Sequence, residues 1–288
     1  MGAPSVFSRP LPISRRQFLV SLAGIAATTG FYTWRIEPEW LEVVERDLPI
    51  AHLPPALHGK TLVQLSDLHI GPQVADDYVR RSFAAVAALA PDFVVHTGDL
   101  VTYGDPSVIG QARRVLETFP RGRLGTVAIL GNHDYGLHWA ELKVADRIAR
   151  LLTDAGARVL RNETAVVGGL QFMGCDDLWT NQFRPAAALR QLVPGQPTLV
   201  LCHNPDACDE PVWGNYEGWI LSGHTHGGQC KPPFLPPPLL PVKNRRYTAG
   251  EFALTGNRRL YISRGVGHLL RVRFNARPEV TAFRLVPA

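Results

Sequence analysis

From Trp40 onward the chain alternates short apolar runs with longer amphipathic ones, and that rhythm sets the expected architecture. "LEVVERDLPI" reads as an edge strand followed by a turn, and Thr61–Ser66 as a second strand that ends at Asp67. "ADDYVRRSFAAVAALA" has helical spacing and is broken by Pro91, after which "DFVVHTGDL" is a short buried strand running into Gly98 and Asp99. The order then repeats. "DPSVIGQARRVLETF" reads as helix, "GTVAILGNHD" as strand and loop, and "HWAELKVADRIARLLTDAG" as an amphipathic helix closed by Gly156. Strand candidates follow in "ARVLRN", "AVVGGLQFMGCDD", "PTLVLCHNPD" and "EGWILSGHTHGG", and again in "RRLYISRGVG" and "EVTAFRLV". This alternation predicts a layered α/β body, more β-rich in its second half, whose parallel strands deliver their loops to one rim.

The first forty residues do not share the rhythm. "SRRQFLVSLAGIAATTGFYTW" carries Arg15 and Arg16, then an uncharged apolar run to Trp34, and no acid stands before Glu37. It resembles a twin-arginine export signal. Residues 1–40 are therefore expected to be that signal or an N-terminal membrane anchor, and residues 41–288 the catalytic body. No good A-x-A site precedes Trp34, and Phe18–Trp34 sits at the short edge of the roughly 17–25 residues that span a bilayer. Arg9, Arg15 and Arg16 held on the cytoplasmic side would place the body across the inner membrane, on the periplasmic or outer face. The alternative is the cytoplasmic face of the membrane. Either way the expected partners include a membrane and, for export, the twin-arginine machinery.

Composition narrows the class. At 288 residues and 45% hydrophobic, the chain has ample material for a core. Cys175, Cys202, Cys208 and Cys230 lack C-x-x-C spacing and read as buried thiols rather than a zinc or redox site. The net charge of +5 is concentrated after Lys243, where ten basic residues face two acids. The arginines there are scattered and not interleaved with aromatics, which argues against nucleic acid as the partner.

The chemistry sits at the strand ends. "SDLH" offers Asp67 and His69, "TGDL" Asp99, "GNHD" Asn132, His133 and Asp134, "LCHN" His203, and "GHTH" His224 and His226. On an extended chain the alternate pairs Asp67/His69 and His224/His226 would each face one way. Mixed carboxylate, amide and imidazole donors suit Zn, Mn or Fe better than an all-oxygen or all-thiolate site would.

In this order the blocks resemble the calcineurin-like metallophosphoesterase superfamily, over about Leu62–Gly228. The flanks "GKTLVQLSDLHIG", "GHTHGGQ" and "SRGVG" are similar to its bacterial membrane-associated or twin-arginine-exported phosphodiesterase branch. The resemblance implies an α/β/β/α sandwich with the metal site at the C-terminal rim of the strands. It implies two divalent ions, one held by Asp67, His69 and His226 and one by Asn132, His203 and His224, with Asp99 bridging. Water between the ions would attack a phosphodiester or pyrophosphate. It also implies that His133 protonates the departing oxygen or stabilises the phosphoryl charge.

Several family members carry a second acid three residues after the G-D aspartate, where this chain has Thr102, so the partner of His133 is open. Asp134 is expected either to orient His133 or to cap the following turn. Arg264 is the tail arginine chosen as a substrate-phosphate contact, with a structural salt bridge as its alternative. The loop "PPFLPPPLLP" is stiff and apolar and could form a greasy lip for a lipid-linked or nucleotide-lipid substrate, or simply pack on the body. Other readings are a broad phosphomonoesterase or nuclease, and a non-catalytic metal-binding scaffold.

Overall fold

Each strand buries its two faces against different partners, and this is what stacks the chain into layers. The structure is a computed structural model and describes residues 14–288; Arg9 and the rest of the first thirteen lie outside the described residues. In the first sheet β2 (Thr61–Leu65), β3 (Phe93–Thr97), β4 (Gly125–Ile129) and β5 (Arg158–Val159) run parallel. The returns between them are α2 (Asp76–Ala88), α3 (Ser107–Leu116) and α4 (Leu142–Asp154). β1 (Glu42–Ile50) is the expected edge strand. The last strand, β12 (Glu279–Pro287), inserts beside it, parallel to β1 and antiparallel to β2.

The second sheet has β7 (Leu170–Gly174), β8 (Thr198–Leu201), β9 (Gly218–Ser222) and β11 (Arg258–Ile262) parallel at its centre. β6 (Glu163–Val167) and β10 (Gly250–Ala253) form its antiparallel edges. The "AVVGGLQFMG" stretch is thus a hairpin, β6 and β7, turning at Gly168 (φ +57°) and Gly169 (φ +90°). Both turn residues are left-handed, which glycine adopts without strain.

Alternation along β3 shows the layering. Phe93 and Val95 face the second sheet and meet Phe172, Leu199 and Leu221, while Val94 faces the side covered by α2, α3 and α4. On the far side Val200, Ile220 and Ile262 lie under α5 (Pro185–Leu189) and long loops. The four-layer α/β/β/α expectation holds, with a thin outer layer because α5 has only five residues. Gln64, on the inner face of β2, donates to Ser222 O at 2.9 Å and to Thr97 Oγ1 at 3.0 Å. It ties the two sheets together directly beneath the rim.

The N-terminal segment, expected to end near residue 40, makes contacts with the body ahead of that point. α1 (Arg15–Phe31) starts with a Ser14/Gln17 capping box and buries no residue. Among the described residues no helix is long and apolar enough to cross a membrane. The body begins before residue 41: Arg273 N donates to Thr33 O at 2.9 Å, and Glu37 is buried with its Oε1 accepting from Ala276 N at 2.7 Å. Trp40 lies under the Arg277 guanidinium, 4.2 Å from ring centroid to Cζ.

The sheet-to-sheet core should dominate stability. Phe172 is fully buried and packs on Phe93 at 6.1 Å between ring centroids. Phe172→Ala is expected to cost about 3–5 kcal/mol, measured by urea unfolding of the metal-free protein.

Candidate metal centre

The turns that follow β2, β3, β4, β8 and β9 converge at one rim and build two donor groups. Asp67, His69 and His226 form one, and Asp99, His203 and His224 the other, all six buried. In the first, His69 Nε2 and His226 Nε2 stand 3.0 Å apart, with Asp67 Oδ1 3.4 Å from His226 Nε2 and 3.9 Å from His69 Nε2. In the second, His203 Nε2 is 3.0 Å from Asp99 Oδ2 and 3.3 Å from His224 Nδ1. Asp99 Oδ2 is also 3.7 Å from His69 Nε2, so one carboxylate reaches both groups.

The alternate pairs do not work as strand residues. β2 ends at Leu65, β3 at Thr97 and β9 at Ser222, and the donors lie beyond, in left-handed turns. Asp67 (φ +53°), His69 (+48°), Asp99 (+55°), His224 (+71°) and His226 (+51°) all have positive φ. Left-handed backbone at a non-glycine residue costs on the order of 1 kcal/mol or more, and such strain collects at functional sites. As a result His224 and His226 enter different groups instead of facing one way. The division matches the assignment implied by the resemblance, but the extended-chain argument for shared direction fails.

Two motif glycines make the convergence sterically feasible. A Cβ on Gly131 would stand 2.3 Å from Asp99 Oδ1, and one on Gly223 would stand 2.0 Å from Ser66 Oγ and 2.3 Å from Asp67 Oδ2. Backbone donors then aim the carboxylates: His133 N donates to Asp99 Oδ1 at 2.9 Å, and His224 N to Asp67 Oδ1 at 3.0 Å. Outer contacts aim the rings. His203 Nδ1 donates to Thr97 O at 2.7 Å, which leaves Nε2 for the site. Thr102 Oγ1, at the position where an acid is absent, is 3.0 Å from His69 Nδ1. Arg273, fully buried, is 3.3 Å from His226 Nδ1 and also donates to Gly267 O at 2.6 Å.

The electrostatics fit cations. Burial pushes His69 and His226 well down and His224 to about 3, so all three are neutral with a lone pair to give. Burial raises Asp67 to about 6. Burial would also raise Asp99 and lower His203, but their mutual attraction wins: Asp99 stays well below its ordinary range and His203 well above its own. Asn132 is buried at the rim with both Oδ1 and Nδ2 lacking any partner. A buried amide with neither end satisfied is rare, and a cation accounts for its carbonyl oxygen. These donors suit a pair of divalent ions.

Three predicted residues need separate placement. His133 is half-buried, edge-on to His69 with ring centroids 5.2 Å apart, and it lies outside both donor groups. Asp134 does not touch His133 but accepts from Gly131 N at 2.9 Å, Val101 N at 3.1 Å and Leu100 N at 3.2 Å. It is the clasp between the Asp99 and Asn132 turns, the capping alternative, and burial next to Asp99 raises it to about 7 despite these donors. The Arg264 guanidinium is engaged by Glu279 Oε2 at 2.5 Å and Glu42 Oε2 at 2.8 Å. The salt-bridge alternative is therefore the geometry observed, with Nε and Nη2 both taken by carboxylates.

Sequence reasoning missed Asp177, Trp139 and Trp179. Asp177 follows β7, is buried with Oδ2 unpartnered, and is raised by burial to about 6 against the pull of His203. Its signal was present, since "LQFMGCDD" repeats the strand-then-acid pattern of "SDLH" and "TGDL". Trp139 and Trp179 stack at 4.9 Å, and Trp179 meets His224 edge-on at 4.4 Å. Nothing in their spacing marks them.

A metal-dependent phosphoryl centre at the strand ends of a double sheet is the class defined by this fold and these donors. The chain belongs to the calcineurin-like phosphoesterase family, whose profile matches residues 60–228. It is 34% identical to phosphodiesterase YaeI of Escherichia coli over 284 residues, 95% of this chain and 100% of that protein. It is 31% identical to an uncharacterized metallophosphoesterase, YkuE, of Bacillus subtilis, covering 95% of this chain and 98% of that one. It is 25% identical to the UDP-2,3-diacylglucosamine pyrophosphatase LpxG of Chlamydia muridarum, covering 92% and 96%. The protein is a metal-dependent phosphoester hydrolase, and its two donor groups point to a dinuclear divalent centre.

Metal binding has a definite pH sign. Asp67, raised to about 6, and His203, held protonated by Asp99, must both give up protons to a cation. Affinity should therefore rise with pH, by roughly tenfold per unit for each proton displaced, with the Asp67 share present below about pH 6 and lost above it, as a chelator-competition titration with proton-release measurement would record.

Proposed function

We propose that this protein hydrolyses phosphodiester or pyrophosphate bonds in a lipid-linked or nucleotide-lipid substrate, at a membrane surface and after twin-arginine export. One observation carries the two-ion part of this reading: Asp99 Oδ2 lies within 3.0 Å of His203 and 3.7 Å of His69, joining the two donor groups through one carboxylate. Asp67, His69 and His226 would hold one ion, and Asn132, His203 and His224 the other. Bound there, a pair of divalent ions such as Zn, Mn or Fe neutralises phosphoryl oxygens and makes water nucleophilic near neutral pH.

The chain's own part is positioning and proton transfer. Thr97 O, Thr102 Oγ1 and Arg273 fix the histidine rings, so the donors need no rearrangement during the reaction. His133 stands beside the donor groups and more exposed than they are, where an imidazolium Nε2–H or Nδ1–H can be given to the departing oxygen. Asp134 keeps the turn that presents it. Trp139, 6.0 Å from the His133 ring, and Trp179 wall that side of the site.

The lipid part is supported by similarity to a diacylglucosamine pyrophosphatase and by the apolar proline loop. That loop is attached to the centre, because His224 Nε2 is 2.8 Å from Pro241 O. Export is supported by Arg15 and Arg16 ahead of the uncharged run in α1. A phosphomonoesterase or nuclease is the competing activity, and a phosphodiester, a phosphomonoester, a nucleic acid and a nucleotide-lipid pyrophosphate offered in parallel separate them. The complete donor set together with His133 speaks against a non-catalytic scaffold.

Two substitutions test the roles. Asp99→Asn should lower metal content and activity together, whereas His133→Ala should keep most of the metal and slow turnover by about 10²–10⁴-fold. Full activity in the second variant would remove His133 as the proton donor.

Replacing Arg15 and Arg16 by lysine should leave the protein in the cytoplasm, and unchanged fractionation would count against export.

A further inference from the structure

Three loops bring large apolar side chains to the same rim as the metal centre. The proline loop follows directly on His226–Gly228, and within it Phe234 is 106% exposed, Leu239 78% and Leu235 61%. Nothing on the body covers them. A second loop carries Leu270 and Val272, both exposed, and a third segment carries exposed Trp34. Backbone bonds hold the three together. Lys231 N donates to Phe274 O at 2.8 Å, Phe274 N to Gln229 O at 2.9 Å, and Arg273 N to Thr33 O at 2.9 Å, while Gln229 Nε2 donates to Leu270 O at 2.9 Å.

The charge along the proline loop and the stretch after it has one sign. From Lys231 to Gly250 the chain carries Lys231, Lys243, Arg245 and Arg246 and no acid. All four are exposed, and none has a carboxylate partner among the described residues. Three residues before Trp34 ends α1, whose exposed Phe18, Leu19, Val20, Leu22 and Ile25 are spread around the whole helix. A helix apolar all round has no polar side to leave in water, so a one-sided protein groove would still expose half of it.

We infer that this rim is a docking face for an anionic phospholipid bilayer. Phe234, Leu235, Leu239, Leu270, Val272 and Trp34 enter the interface, and the unpaired lysines and arginines meet the phosphates. Apolar and aromatic tips ringed by cations are the chemistry of a peripheral membrane contact, and each cation near an anionic surface adds to the attraction. The face deepens the membrane part of the reading above. It places the metal centre at headgroup depth, where a lipid phosphate would reach the donors without the lipid leaving the bilayer.

The test uses the full chain in a Cys230→Ser background, since the other three cysteines are buried. An environment-sensitive fluorophore is attached at Phe234→Cys or, as control, at Val166→Cys on the exposed edge strand β6. With phosphatidylglycerol-containing vesicles, emission at position 234 should rise several-fold and shift to the blue while position 166 stays unchanged, and the response should weaken as salt is raised. The inference is overturned if the protein floats with vesicles and the 234 probe still reads water, which would assign binding to α1 alone. It is equally overturned if both probes respond alike, or if no vesicle binding occurs and the 234 probe instead responds to a protein partner. The readout needs no turnover, so a failed docking test and a failed hydrolysis test are distinguishable.

Discussion

Lone pairs facing one another in a buried site are the constraint on which the rest of this structure depends. His69 and His226 bring two ring nitrogens to 3.0 Å, and next to them Asp67 and Asp99 are buried with no cationic side chain of Lys or Arg paired to either among the described residues. Without a cation such a cluster is a cost in desolvation and repulsion; with one, the same groups become a preformed cage. The left-handed backbone at five of the donors is a second cost borne by the same turns. The layers around the site make that cost tolerable. Gln64 ties the sheets beneath it, glycines at 131 and 223 allow backbones to approach carboxylates closely, and Asp134 locks two of the turns together.

The two sheets have unequal parts in the centre. The first delivers Asp67, His69, Asp99 and Asn132 from consecutive parallel strands, and the second delivers His203, His224 and His226 from adjacent ones. Each ion site takes donors from both, so the metals would hold the sandwich closed at one end as the aromatic core does along its middle. Of the orienting contacts, Thr97 holds His203 across the two sheets, Thr102 holds His69 within the first, and Arg273 reaches His226 from the loop between β11 and β12.

Much of this was legible in the sequence. Period-2 and helical spacing located β2, β3, β4, β8, β9 and the three main helices closely, since those elements bury one or both faces in full. The donor blocks were legible because every strand-end turn carried an acid, amide or imidazole. Topology was not: nothing local says that β12 returns to lie between β1 and β2, or that β10 forms an edge. Direction was misread at the rim, where strand periodicity was carried two residues past the strand ends into turns of opposite handedness. Asp134 and Arg264 were undecided for a related reason. Their partners, three backbone amides from two turns and two glutamates 15 and 222 residues away, are contacts that spacing does not encode.

The bonds that Arg273 N donates to Thr33 O and Ala276 N donates to Glu37 Oε1 give the segment after α1 a second meaning. They latch the loop whose Arg273 lies against His226, so residues 33–37 are also struts of the donor cluster. Truncation on the amino side of Thr33 would remove α1 and leave the struts in place. Truncation beyond Glu37 would orphan two buried amides and loosen a ligand ring, which ties the integrity of the donor cluster to a stretch of chain more than two hundred residues away in sequence.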